Sequence, residues 1–400
     1  MNGQRFFLHT SLISAMLCGA LVVHGADQAF DPRLEIGGTY DSNLRLAAAP
    51  LNDKVTGGYV DALADWTTRT PLTDFRLTPR LRATRYSGNG ETGTTNFYLN
   101  GDLNHHLERS RLGLAFNISK QEVLTSELLD ANGSNGLGTP GTGTAGLAFT
   151  NSKALFAVVR PTGRFDLGKR TQLLIDTQYT RVDYDRARAL IQNDYSDVAG
   201  TIGFSFQATP RVRWVTNLTA DKFTPRAGTA DARNVGANVE LWREQSELVR
   251  AFIRVGAVRS QFSGSGSAAS ETSANGGVGV QRDFATGHLF LQANRTVDAS
   301  GSGQLLLRDE LNLRLGRKLT ERVLITGGAA AIWTEPVAKN SALGKRRYYV
   351  ASLGGEWRVR RTVSLEARYE YSSVHFQSAA GTPDSNAAYA GVVFEPHRRN

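Results

Sequence analysis

Cysteine is almost absent from this chain of 400 residues, in which Cys18 is the one example. Cys18 lies within the N-terminal segment that is interpreted below as a signal peptide, so the mature chain would contain no cysteine. The residues Ala15-Met16-Leu17 before it do not resemble a lipoprotein box, so lipidation is not expected. A mature chain without cysteine excludes thiol catalysis and suits an oxidising compartment without disulfides.

Long apolar runs are lacking as well. Mean hydropathy is −0.30, and 21% of the residues are charged. Beyond the N-terminus no stretch approaches the roughly 20 apolar residues that a transmembrane helix needs. This excludes a bundle of membrane helices. Glycine is abundant at 41 residues and proline modest at 11, a composition unlike that of the two or three soluble domains that the length alone would suggest.

The N-terminus has the three parts of an export signal. Arg5 supplies the positive charge, residues 12–23 form an apolar segment too short to span a bilayer, and small residues follow at Gly25 and Ala26. A cut before Ala26 places Val23 and Gly25 at the −3 and −1 positions, whereas a cut after Ala26 places His24 at −3, which is less usual. We therefore predict a cleavable signal peptide over residues 1–26, with the exact cleavage site left open.

The formal net charge of +9 is spread along the whole chain. A nucleic-acid-binding protein would concentrate such charge in a patch or an arm. We therefore expect no nucleic-acid partner. On an exported chain, lipopolysaccharide phosphates or an anion-attracting pore fit this charge better.

From Pro32 onward, segments of about ten to fifteen residues alternate apolar and polar side chains. In residues 75–83, for example, Phe75, Leu77, Leu81 and Ala83 alternate with Arg76, Thr78, Arg80 and Arg82. This period of two predicts an all-β protein, a transmembrane antiparallel up-and-down β-barrel, with one face toward lipid and the other toward a polar lumen. A soluble sandwich also alternates, but its strands are usually shorter.

The connections between these segments are of two alternating kinds. The short ones are predicted near 68–74, 107–110, 161–164, 209–210, 244–247, 283–287, 317–321 and 358–361. The mostly longer ones are predicted near 47–53, 87–93, 121–150, 184–194, 223–230, 263–271, 298–303, 335–345 and 373–385. Short turns at one end and long loops at the other are typical of outer-membrane barrels. Together they predict about eighteen strands over residues 27–394, or sixteen if the glycine-rich hairpin at 274–294 is misread.

The tryptophans support this arrangement, because aromatic residues collect at the two membrane interfaces. Trp66, Trp214, Trp242 and Trp357 lie beside predicted short turns, and Trp333 lies near a long loop. Trp242 has the parity of the polar face of its strand. A bulge or an inward-facing indole is therefore required there.

Three groups of residues resemble functional motifs but are better explained as ordinary loop or strand residues. The GxGxxG match at 136–141 contains Pro140 and precedes no helix, so a flexible loop is favoured over a dinucleotide site. His105 and His106 would point to opposite faces of a strand, so one metal cannot easily use both. His288 and His375 lack a recognisable hydrolase motif. We predict neither an enzyme nor a cofactor nor a metal.

Charged and amide side chains on the polar faces are the candidates for lining the lumen. An arginine ladder on one strand faces amides and an acid on the next, and mixed charges follow later in the chain. The candidates are Arg76, Arg80, Arg82, Asn100, Asp102, Arg308, Glu310, Glu366 and Arg368. They would either tune the selectivity for ions or saccharides or neutralise one another in a structural network, and the sequence favours neither reading.

One short segment carries a family resemblance. Residues 34–44, LEIGGTYDSNL, resemble the opening strand of the outer-membrane β-barrel porins that accompany exopolysaccharide and exosortase loci, the EpsL-type proteins among them. The turn at 69–75, RTPLTDF, is similar in character. The resemblance implies an outer-membrane porin connected with exopolysaccharide secretion.

The C-terminal strand is predicted to end at Phe394, in register with Ala388, Ala390 and Val392. An aromatic residue at this point is what the barrel assembly machinery, an expected partner, would recognise. Pro396 cannot continue a β-ladder. Residues 395–400 are therefore predicted to be a short periplasmic tail.

The predicted function is a pore or export conduit in the outer membrane of a Gram-negative cell, in contact with lipid and lipopolysaccharide and passing a polysaccharide or small solutes. A barrel of sixteen to eighteen strands can leave an aqueous channel. The alternative is a non-conducting scaffold or adhesin that acts through its loops, above all 121–150. A long loop folded into an open pore would favour transport, and a plugged lumen would favour the scaffold.

Overall fold

The computed structural model describes residues 26–44, 46, 54–87, 93–122, 153–185, 193–226, 231–263, 269–338, 344–377 and 382–396. Residues 1–25 of the predicted signal peptide, the GxGxxG segment, nearly all of the loop 121–150 and the last four residues of the predicted tail lie outside these ranges. The signal peptide therefore stays a prediction.

The chain forms eighteen β-strands that make one sheet. They are β1 Asp27–Asp41, β2 Val55–Arg69, β3 Thr73–Ser87, β4 Thr94–His106, β5 Ser110–Glu122, β6 Lys153–Asp166, β7 Thr171–Tyr184, β8 Tyr195–Thr209, β9 Val212–Pro225, β10 Asp231–Ser246, β11 Val249–Ser263, β12 Ala269–Phe284, β13 Gly287–Ala299, β14 Leu305–Lys318, β15 Val323–Pro336, β16 Arg346–Arg360, β17 Val363–Phe376 and β18 Asp384–Phe394. Every strand pairs antiparallel with its neighbour in sequence, and the eighteen-strand prediction is confirmed.

The sheet closes on itself because β1 also pairs with β18. Their register runs from Leu34 opposite Phe394 to Asp41 opposite Ala387. After Phe394 the Glu395 amide donates a hydrogen bond of 2.9 Å to the Thr362 carbonyl. Closure leaves no free sheet edge along this seam, as a barrel in lipid requires.

Side chains alternate between the outside and the lumen along each strand. Outward residues at mid-strand are apolar and strongly exposed, among them Leu218 at 63%, Val255 at 66% and Leu353 at 61%. An apolar belt of this extent around a closed barrel is stable only where lipid covers it. None of the described residues forms a helix long and apolar enough to cross a membrane.

Prolines interrupt a ladder inside two strands, β3 and β6, and the one in β6 corrects a predicted turn. The short turn expected at 161–164 is wrong, because Pro161 is paired with Leu114 inside β6 and the chain turns only after Asp166. Toward β7 the ladder is interrupted at residues 160 and 161. Pro79 interrupts the β2–β3 ladder in the same way. A proline lacks the N–H of one ladder bond but can keep its pairing on the other side.

The tryptophans divide as their parity predicts. Trp214 and Trp357 are exposed on the outer surface. Trp242 instead faces the lumen, in register with Arg213 on β9 and Phe252 on β11. Its indole stacks on Phe252 at 5.0 Å between ring centroids and donates a hydrogen bond of 2.9 Å to Glu240. The indole thus faces inward without a bulge at Trp242; the irregularity in β10 comes two residues later, between Glu244 and Ser246.

This placement predicts different quenching of the indoles in a reconstituted protein. In variants that keep one tryptophan, brominated lipid should quench Trp214 and Trp357 strongly, because both rings lie at a lipid interface. Trp242 should be quenched little by the lipid and more by aqueous iodide. Equal quenching of Trp242 and Trp214 by brominated lipid would contradict its lumenal position.

Candidate functional site

The arginine ladder of β3 faces the lumen, and its partners lie on β2. Arg80 donates hydrogen bonds to Asp61 from its Nε and Nη2 groups, and Nε lies 2.8 Å from Oδ1. Arg76 Nη2 lies 2.8 Å from Asp65 Oδ2, and Arg82 Nη1 lies 4.0 Å from Asp61 Oδ2. The sequence pattern predicts β4 as the partner of the ladder, whereas the acids that neutralise Arg76 and Arg80 are their diagonal neighbours on β2.

The β4 candidates lie beside this ladder. Asp102 is opposite Arg76 in the register and Asn100 is opposite Thr78. Asn100 accepts a hydrogen bond from the Asn117 amide of β5. Both side chains are exposed to the lumen, so this part of the wall is accessible to water.

Asp61 should matter much more for stability than Asp65. Its carboxylate is 5% exposed and the Arg80 side chain 35%, so the variant Asp61→Asn leaves a partly buried guanidinium unpaired. We expect a loss of about 2–3 kcal/mol in the free energy of unfolding, below the roughly 3–5 kcal/mol of a fully buried pair. Urea titration of the protein in lipid vesicles measures it.

The matched control is Asp65→Asn. The Asp65–Arg76 pair lies on the same two strands but is 27% and 57% exposed, so its loss should cost less than about 1 kcal/mol. Equal effects of the two variants would contradict the difference in burial.

Glu366 belongs to a charged group near the short-turn end of the lumen. Arg33 of β1 lies 2.7 Å from Glu366, 3.4 Å from Glu35 and 3.7 Å from Glu395. Glu35 also accepts a hydrogen bond of 2.6 Å from the Tyr59 hydroxyl. One guanidinium thus connects three carboxylates across the β1–β18 seam.

Above this group lies a cluster of arginines and tyrosines, defined here as Tyr59, Arg82, Arg368 and Tyr389. The Arg82 guanidinium lies 4.9 Å from the Tyr59 ring centroid and 5.8 Å from that of Tyr389, and Arg368 lies 4.6 Å from the Tyr389 centroid. The two rings meet edge to face at 6.4 Å. All four side chains line one lumenal cavity of about 390 Å³, together with Arg33, Glu35, Asp61, Arg80 and Glu366.

Arg308 and Glu310 are placed differently from the other candidates. Their side chains are 2% and 5% exposed and form an ion pair of 3.3 Å. They belong to the part of β14 that leads into the folded hairpin described next. They are therefore packed inside the protein and do not line the accessible cavity.

The hairpin of β13 and β14 separates from β12 at its long-loop end, while β14 stays paired with β15 as far as Leu306 opposite Pro336. The β12–β13 pairing stops at Gly276 opposite Arg295, although β12 continues to Ala269 against β11. β13 and β14 stay paired up to Ala299 opposite Leu305. The wall therefore divides between β12 and β13, and the upper hairpin turns into the lumen.

The tip of this hairpin reaches the opposite wall. The backbone N–H of Asn193, just before β8, donates a hydrogen bond of 2.8 Å to the Gly301 carbonyl. A side chain at Gly301 would meet the Tyr184 hydroxyl, since a Cβ there would lie 2.0 Å from that oxygen. Close approach to Tyr184 thus explains glycine at this position.

An apolar cluster holds the hairpin in place. Leu305 is 3% exposed and packs in one group with inward side chains of β6 to β10 and with a residue that follows β15. The other members are Ala154, Val182, Tyr184, Tyr195, Phe223, Ala232 and Val337. The long-loop end of the lumen is therefore narrowed by apolar packing, while the cavity toward the short-turn end is charged.

Two features of this site cannot be predicted from the sequence alone, and a third has a signal in it. The diagonal ion pairs depend on which of the two neighbouring strands the arginine side chain extends toward. The contacts of the arginines with Tyr59 and Tyr389 join strands at opposite ends of the chain. The inward hairpin could have been suspected from the run Leu305-Leu306-Leu307, because a strand with lipid on one face and a polar lumen on the other would not place leucine on both faces.

Comparison with known proteins gives structural likenesses and no sequence family. No protein-family model matches the chain, and neither does any curated protein sequence. OccK5 (OpdH) of Pseudomonas aeruginosa is similar at 10% identity and a TM-score of 0.45, over 92% of this chain and 98% of that one. OccAB4 of Acinetobacter baumannii shows 9% identity and a TM-score of 0.45, over 92% and 97%. OprD of P. aeruginosa shows 8% and 0.42, over 92% and 94%. At such identities the likeness is one of fold.

Proposed function

We propose that the protein is a passive pore of the bacterial outer membrane that lets small hydrophilic solutes cross its charged lumen. The observation that carries this proposal is the closed eighteen-strand barrel with a charged cavity of about 390 Å³ inside an apolar outer belt. Soluble proteins rarely expose an apolar surface of this extent to water. A barrel with this number of strands is wide enough to contain an aqueous channel.

A connection with exopolysaccharide secretion is the finer part of the proposal. It is supported by the resemblance of residues 34–44 to the opening strand of EpsL-type porins and by the short turns and long loops that such barrels share. Saccharides are hydrophilic, and the guanidinium, carboxylate and hydroxyl groups of the lumen can bind their hydroxyl groups.

A non-conducting scaffold is the second candidate, and the apolar cluster around Leu305 favours it. Tight packing of the hairpin on the opposite wall narrows the passage where a pore would need to be open. The two candidates differ in whether the hairpin ever leaves that position.

Single-channel recording of the refolded mature chain in a planar bilayer tests the proposal. A pore should give discrete conductance steps that scale with salt concentration. Silence of the wild-type protein together with silence of a variant whose hairpin has been released would overturn the pore and leave the scaffold.

A further inference from the structure

We propose that Arg82 and Arg368, on the two sides of Tyr389, form a binding site for the carboxylate of a solute in the lumen, with a uronate or a similar small sugar acid as its ligand class. The inference rests on the proposed pore, since it names the kind of solute that this pore would select.

Neither of the two arginines has a carboxylate to itself. Asp61 is occupied by Arg80, and Arg82 reaches the same carboxylate at 4.0 Å, the outer limit of an ion pair. Glu35 is shared by Tyr59 and Arg33. Within the part of the chain that the structure describes, no carboxylate lies within ion-pair distance of Arg368, whose contact is the Tyr389 ring.

The tyrosines hold the guanidinium groups without using up their hydrogen-bond donors. A cation–π contact engages the flat face of a guanidinium, whereas its N–H groups lie in the plane and stay available. Two such forks beside one ring can bind a carboxylate with paired, charge-assisted hydrogen bonds.

The position of the cluster fits a ligand site better than a structural one. Arg368 is exposed to the cavity, and the Arg82 side chain is 19% exposed. Their strand neighbours Leu81 and Tyr369 face outward in the apolar belt, so the pair lies at membrane depth, in a lumen whose walls have a low dielectric constant. Interactions between charges are stronger there than at a surface. A volume of about 390 Å³ lies within the range of small-molecule sites, about 300–1,000 Å³.

A carboxylate is favoured over a phosphate because acids share the cavity. Four acids line it with the arginines: Glu35, Asp61, Glu356 and Glu366. Their negative charge opposes a doubly charged anion more than a singly charged one. The hydroxyl groups of a sugar acid can also donate hydrogen bonds to these carboxylates.

Calorimetric titration of the refolded mature protein in detergent with galacturonate, galactose and inorganic phosphate tests the site. We expect saturable binding of galacturonate, little binding of galactose, and phosphate weaker than galacturonate. The double variant R82Q/R368Q should weaken galacturonate binding by about tenfold or more, because charge-assisted hydrogen bonds are lost.

The matched control is R233Q/R259Q, which removes two positive charges from exposed outward positions on β10 and β11. It should bind galacturonate like the wild type. Equal binding by R82Q/R368Q and the wild type, or binding of phosphate without galacturonate, would overturn the site. Binding is measured without current, so a wild type that conducts but does not bind galacturonate refutes this inference alone, whereas silence of both the wild type and the hairpin-released variant refutes the pore.

Discussion

Release of the β13–β14 hairpin is expected to raise the single-channel conductance several-fold. The variant Leu305→Asp places a carboxylate in the apolar cluster, where Leu305 is 3% exposed. Loss of the buried leucine costs about 2–5 kcal/mol, and an unpaired buried charge adds several more. Each 1.4 kcal/mol changes a population about tenfold, so the inward position should become a minor state. The wall strands keep their own hydrogen bonds, so the barrel should remain folded.

The control for this variant lies next to it in the chain. Gln304→Asp adds the same charge to the same hairpin at a partly exposed position and removes no apolar side chain. Its conductance should stay close to that of the wild type. A Leu305→Asp channel that conducts like Gln304→Asp would mean that the hairpin does not limit the passage.

A positive charge at mid-height on the outer surface is expected to destabilise the protein strongly. Leu353 on β16 faces outward and is 61% exposed. In lipid, Leu353→Arg should lower the free energy of unfolding by about 2–4 kcal/mol, because the arginine has no water at the bilayer midplane. On a water-exposed surface the same change would stay within about 0.5 kcal/mol. Urea unfolding in lipid vesicles distinguishes the two.

Val359→Arg is the position-matched control. Val359 faces the same way on the same strand but lies next to the short turn, where an arginine near the interface costs about 0–1 kcal/mol. Equal costs at the two positions would show that no lipid belt surrounds the barrel.

The barrel could be predicted from the sequence because its two signals are local. Alternation with a period of two fixes which side chains face outward, and turn-forming residues separate the strands; Trp242 shows that parity predicts even an inward indole. The error at 161–164 arose because Pro161 was read as a turn residue, although a ladder can lose one bond and continue.

The site was harder to predict, because its contacts join residues that are far apart in the sequence. Arg76, Arg80 and Arg82 were identified as inward residues, but a sequence pattern does not say that Arg80 binds Asp61 while Arg82 contacts Tyr59 and Tyr389. Tyr389 lies more than three hundred positions from Arg82 in sequence, and closure of the β1–β18 seam brings them together. The inward hairpin likewise follows from packing that joins Leu305 to strands far away in the chain.

A barrel with lipid outside and water inside is tested most directly by cysteine scanning along β17. The mature chain is predicted to contain no cysteine, so a single new thiol at position 365, 366, 368 or 369 can be followed alone. In vesicles, a charged thiol reagent should modify cysteines that replace Glu366 and Arg368 and spare those that replace Leu365 and Tyr369. Modification of all four at one rate, or protection of 366 and 368, would contradict a water-filled lumen.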